Sequence, residues 1–159
     1  MNYRIVERGS FQVAGVKQEF SCENGENLRE IPKMWDDVHA DVTNDLLFEL
    51  NNGEIDGVVG VCVDKRSEHP HLMDYWIAAE YKGTQPEGLE TLDIPAAKWG
   101  VFEVHGAMPD SMQNAWKQIF SEWFPSSHYE HAAGPDLEVY SAGDPWSQDY
   151  YSEIWIPLK

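Results

Sequence analysis

Glu153 is the side chain whose type and setting most invite chemistry. It lies in the run Tyr150-Tyr151-Ser152-Glu153-Ile154-Trp155-Ile156-Pro157-Leu158, whose composition predicts a strand. Side chains alternate between the faces of a strand, so Ile154 and Ile156 share one face while Tyr151, Glu153 and Trp155 share the other. The first face is plain core. The second sets one carboxylate between two aromatic rings, which suits an organic cation: an ionised acid is costly to bury alone, and ring faces attract positive charge. The same groups admit a rival chemistry. A carboxyl raised in pKa by an apolar cleft, with Tyr75 or Tyr151 beside it, can act as general acid or base and turn water on an electrophilic small molecule.

Other chemistries lack their residues. There is no G-x-S-x-G, P-loop or G-x-G-x-x-G run. Cys22 and Cys62 are far apart and have no C-x-x-C spacing, which argues against a disulfide scaffold and a structural zinc site. His69 and His71 flank Pro70, and His128 and His131 flank Tyr129-Glu130, without a matched carboxylate or cysteine. Solvated loop histidines are expected, with no metal and no other cofactor.

The elements that must position Glu153 follow from periodicity. Tyr3 to Phe20 alternates weakly and breaks at Gly9-Ser10 and Gly15, as a strand with a turn or bulge does. Pro32 is expected in the first turn of a helix, where its missing N–H is harmless. The stripe Ile31, Met34, Trp35, Val38, Val42 and Leu46 carries that helix to Asn51-Asn52-Gly53. Val58 to Val63 is a buried strand, Asp64 to Pro70 a charged turn, and Leu72 to Tyr81 the antiparallel partner. After a connector from Lys82 to Gly88 the plan repeats. Leu89 to Val104 is strand, interrupted at Ile94-Pro95. Pro109 opens a helix whose face is Met112, Ala115, Trp116, Ile119, Phe120 and Trp123. Leu137-Glu138-Val139-Tyr140, a turn at Gly143-Asp144-Pro145 and the closing strand complete it.

Each half, about residues 1–82 and 89–159, is therefore strand, helix, strand, strand. The halves' last strands correspond in register: Asp74-Tyr75-Trp76-Ile77-Ala78 against Glu153-Ile154-Trp155-Ile156-Pro157. The expected fold is α+β: one domain over 1–159, of duplicated βαββ units, with a pseudo-two-fold antiparallel sheet, two main helices and a central cleft. Asp74 and Trp76 should then face the groove with Glu153 and Trp155. Tyr75, which points with Ile77 toward the helices, is expected in the core, with its hydroxyl within reach of the groove. Trp116 and Trp123 are core by their spacing, and Trp146 lies in a loop.

The formal charge is −17, from 28 acidic and 11 basic residues. Nucleic-acid phosphates and anionic membranes are disfavoured as direct partners, and the field concentrates cations. No apolar run approaches the roughly 20 residues of a membrane span, and no signal-peptide core follows Met1, so a cytoplasmic protein is expected. Nothing in the pattern demands more than a monomer or a weak homodimer.

Ile31-Pro32-Lys33-Met34-Trp35, Ile94-Pro95-Ala96 with Val101-Phe102 and Gly106, Trp116, Trp123-Phe124-Pro125, Tyr129, Leu137-Glu138-Val139-Tyr140 and the closing Glu153 to Pro157 together resemble the GyrI-like effector-binding domain. That domain is the ligand-sensing module of many AraC-type and MerR-type bacterial regulators. The resemblance implies an aromatic cleft for lipophilic cations with the last-strand acid, Glu153, at its floor, Trp155 as a wall, and Pro32 and Trp35 at the rim. It also implies a regulator or gyrase as protein partner, and among relatives of this kind some hydrolyse reactive small molecules.

Overall fold

The computed structural model describes residues 1–65 and 68–159. The expected turn from Asp64 to Pro70 includes Arg66 and Ser67, which lie outside the described residues. Strand β1 (Tyr3–Arg8) and strand β2 (Phe11–Ser21) precede helices α1 (Glu26–Ala40) and α2 (Thr43–Leu50). Strands β3 (Val58–Asp64), β4 (Leu72–Glu80), β5 (Glu90–Ile94) and β6 (Ala97–His105) follow. Helix α3 (Asp110–Gln118), strand β7 (Asp136–Tyr140) and strand β8 (Tyr151–Leu158) close the order.

Among the described residues all strands form one eight-stranded antiparallel sheet in the order β1-β6-β8-β7-β3-β4-β2-β5. The duplication expected from the sequence is laid out in that order. One half contributes β6-β8-β7 and the other β3-β4-β2, joined at the centre where β7 pairs with β3. The pairing has a two-fold character: Gly60 opposes Glu138, and Cys62 opposes Asp136. The halves also exchange their leading strands. β1 adds to the far edge of the second half through β6, and β5 adds to the far edge of the first through β2.

Two-residue links at Gly9-Ser10 and Pro95-Ala96 carry the chain between opposite ends of this sheet, so the sheet has to roll until its ends approach. The inside of the roll is apolar. Val13 and Ile94 from one end cluster with Trp99 and Val101 from the other, around Trp76, Leu137 and Trp155. Arg4, Val6 and Arg8 line that side of β1, and each arginine meets a carboxylate, Glu153 for Arg4 and Glu80 for Arg8. The helices cover the other face. α1 and α2 pack with Tyr75 and Ile77, and α3 packs with Phe102, Ile154 and Ile156.

The helices depart from expectation in three places. α1 starts at Glu26, so Pro32 lies inside it instead of in its first turn. The ring removes the N–H that would bond the Leu28 carbonyl, and the Gln113 side-chain amide of α3 donates to that carbonyl at 3.0 Å. The long stripe is two helices. Asp41 is extended and its carboxylate caps the Thr43 N–H at 2.8 Å, which ends α1 and leaves Val42 77% exposed, off the core. After α3 the chain makes a wider π-type turn over Ile119–Trp123, which shifts the phase and leaves Phe120 on the surface.

Candidate ligand-binding site

Glu138 sits at mid-strand on β7, next to the joint between the halves, and is only 7% exposed. Its carboxylate is held by neutral donors. The Tyr75 and Tyr140 hydroxyls donate to Oε1, the latter at 3.0 Å, and the Trp116 indole N–H donates to Oε2 at 2.6 Å. The Trp35 indole N–H donates in turn to the Tyr75 hydroxyl at 2.9 Å. Trp35 and Trp116 occupy equivalent places in α1 and α3, each one residue after a buried Met34 or Ala115. Each half thus sends one tryptophan to the same carboxylate network.

The register explains how a glutamate and a tyrosine meet here. Gly60 lies between them on β3, and a Cβ there would sit 2.1 Å from the Tyr75 hydroxyl and 2.8 Å from a Glu138 oxygen. Only the bare backbone at Gly60 leaves room for the pair.

These groups line a cavity of about 840 Å³ between the helices and the sheet, within the range of small-molecule sites. Trp35, Trp116, Tyr140 and Trp146 supply aromatic walls, and Ile31, Met73, Met108 and Met112 supply apolar surface. The His39 ring stacks on Trp35 and meets Trp146 edge-on at 5.7 Å, so the loop carrying Trp146 faces α1 across the cavity mouth. Four carboxylates, Asp36, Asp45, Asp136 and Glu138, are among the lining residues, and no described lysine or arginine is.

Burial dominates the electrostatics of Glu138. It raises the carboxyl above its ordinary range despite the bonds from Tyr75, Trp116 and Tyr140. Asp136, on the same face two residues earlier, is likewise raised by burial, opposed by the His131 ring at 2.8 Å. Burial, with the fields of Glu138 and Asp136, pushes the Cys62 thiol well up.

Three of the expected residues line this cavity: Tyr75, Trp35 and Pro32. The other five do not. Tyr151, Glu153 and Trp155 lie on the opposite face of the sheet, and so do Asp74 and Trp76, as strand alternation requires once the helices cover the Tyr75 and Ile154 face. Glu153 is indeed ringed by aromatics, but its partners close the roll. Arg4 donates at 3.1 Å and the Tyr151 hydroxyl at 2.6 Å to one oxygen, and the Trp155 N–H donates at 3.0 Å to the other. Asp74 lies 3.5 Å from Lys65, and Trp76 is packed inside the roll. The floor acid is Glu138, which sequence reasoning placed in a strand without singling it out. Its signal was an acid in a short apolar strand with Tyr140 on the same face. His131 is exposed, as expected, and also pairs with Asp136.

Burial alone would raise Glu153, but the bonds from Tyr151 and Trp155 and the charge of Arg4 outweigh it and leave the group below the usual carboxylate range. A lowered folded pKa contributes stability above the unfolded pKa, and this is lost as pH falls through the folded value. Glu153→Gln is therefore expected to lower stability by about 1 kcal/mol at neutral pH. The deficit should shrink in strong acid. Urea unfolding at both pH values checks this, and a deficit independent of pH contradicts it.

A rolled, duplicated antiparallel sheet with helices from each half over an aromatic, acid-lined cavity defines a GyrI-like effector-binding domain. The chain belongs to the Cass2 family of integron-associated effector-binding proteins, which it matches over residues 4–158. It is 26% identical, over 99% of its length, to the transcriptional regulator BrlR of Pseudomonas aeruginosa, and it spans 56% of that regulator. Its fold is that of SAV2435 in complex with tetraphenylphosphonium (TM-score 0.88, 24% identity, 100% of this chain and 94% of that one). The integron cassette protein from the mobile metagenome of Vibrio cholerae shares it too (TM-score 0.70, 16% identity, 99% of this chain and 95% of that one). Among the described residues no helix is long and apolar enough to cross a membrane, and no group of His, Cys, Asp or Glu is placed to hold a metal ion.

Proposed function

We propose that this chain captures lipophilic aromatic cations, with Glu138 as the counter-charge and Trp35, Trp116 and Tyr140 as the walls that hold the ligand. The observation that carries this is the lining itself, in which a buried carboxylate and aromatic rings are joined by further acids and by no lysine or arginine among the described residues. Glu138 is only 7% exposed and is held by Tyr75, Tyr140 and Trp116, so an entering cation meets a preorganised charge. The ligand's apolar surface adds about 25 cal/mol per Å² buried and each ring contact with the cation about 0.5–2 kcal/mol. Micromolar affinity, about −8 kcal/mol, is within reach of such a site. The complex of SAV2435 with tetraphenylphosphonium supports the same ligand class.

The test uses two ions of one shape. Calorimetry is expected to show tetraphenylphosphonium bound and tetraphenylborate, its anionic isostere, not bound. Glu153→Gln is expected to bind the cation as the wild type does, since Glu153 lies outside the cavity. Equal affinity for both ions defeats the proposal.

A further inference from the structure

Glu138 is not the only acid inside the cavity. Asp136 shares its strand face one repeat away, about 7 Å along the backbone. Its side chain is 16% exposed, lines the same cavity, and its Oδ1 accepts a hydrogen bond from the His131 Nε2–H at 2.8 Å. The two-fold pairing at the centre of the sheet makes the second acid conspicuous. The partners of Glu138 and Asp136 across that joint are Gly60 and Cys62, so neither acid meets a countercharge there, and Asp64 at the end of β3 adds a further negative field at Asp136. The cavity is long enough to cover both, reaching from Asp136 past Glu138 to Tyr140 and Tyr150.

A ligand with one positive centre satisfies Glu138 but lays apolar surface over Asp136. Covering an ionised carboxylate with no matching charge is unfavourable, and His131 at its outer side offsets that only in part. A second positive centre removes the penalty. Resting on the cation-capture reading above, we infer that Asp136 is a second cation subsite and that the preferred ligands are rigid aromatic dications whose two charges can meet acids one strand repeat apart.

Naphthalene-2,6-diamidine, naphthalene-2-amidine and tetraphenylphosphonium, titrated into the intact chain by calorimetry, test this. The diamidine is expected to bind at least tenfold more tightly than the monoamidine. In Asp136→Asn that advantage is expected to fall to about the twofold that two equivalent ends give by chance. Asp136→Glu, which keeps the charge, is expected to retain most of the advantage, which separates charge from a disturbed fold. An advantage unchanged in Asp136→Asn, or absent from the wild type while tetraphenylphosphonium still binds, overturns the second subsite alone. Failure of every cation to bind overturns the capture reading and this inference with it.

Discussion

Replacing Glu138 by Gln is expected to weaken tetraphenylphosphonium binding by 30-fold or more, about 2 kcal/mol, the lower end of what losing one partner of a buried charge pair costs. The amide keeps the shape and still accepts from Tyr75 and Tyr140, so the cavity is preserved while its charge is gone. Removing a desolvated charge offsets the loss of an acceptor for the Trp116 N–H, and the melting temperature is expected to stay within about 4 °C of wild type. The acid limb distinguishes this from general damage. On the capture reading the cation binds the ionised form, and burial raises the free carboxyl above its usual range. Wild-type affinity should thus decline as pH falls through that raised value, approaching tenfold per pH unit, and the Gln variant should lack that decline. Calorimetry across the acid range decides it, and a Gln variant with the wild-type pH profile places the charge elsewhere.

The largest stability effect is expected inside the roll. Glu80 is 1% exposed, and Arg8 donates to it at 2.6 Å from the strand at the other end of the sheet. Its other oxygen accepts the N–H groups of Glu54 and Ile55, at 3.2 and 3.0 Å, and so fixes the loop before β3. Gly53 belongs to this device, since a Cβ there would fall within 2.5 Å of the Glu80 side chain. Breaking a buried ion pair from one side strands the remaining charge. Glu80→Gln is expected to lose about 3–5 kcal/mol, seen as a lowered urea midpoint at constant m. The double variant Glu80→Gln/Arg8→Met removes both charges and is expected to recover a good part of that loss. A single variant within 1 kcal/mol of wild type would mean that the pair is hydrated and does not hold the ends of the sheet together.

Periodicity carried most of the architecture. The strands around Val58 to Val63 and Leu72 to Tyr81, the helical face from Met112 to Ile119, and the matched closing strands all stand where the pattern puts them. Alternation also separated the two faces of the last strand correctly. What it could not assign was which face the helices cover. In an open sheet the plain apolar face would be core and the face with rings and an acid would be the groove. In a rolled sheet both faces of β8 are buried, and each is rich in apolar residues. The acid flanked by Tyr151 and Trp155 therefore looked like a ligand floor, whereas Glu138 became visible only through its register with Gly60 and Ile154. Pro32 misled in a related way. A proline marks a helix start when its missing N–H is the only consideration, but a partner from another helix can satisfy the carbonyl it orphans.

That substitution of partners has a bearing on how the two helices over the cavity are joined. Where an unbroken backbone ladder would make the lid over the aromatic chamber stiff, this one is interrupted above the chamber, and the slack is taken up by an amide borrowed from the neighbouring lid. The interruption is thereby written into the main chain, one ring closure in a helix, and is separate from the carboxylates that line the chamber.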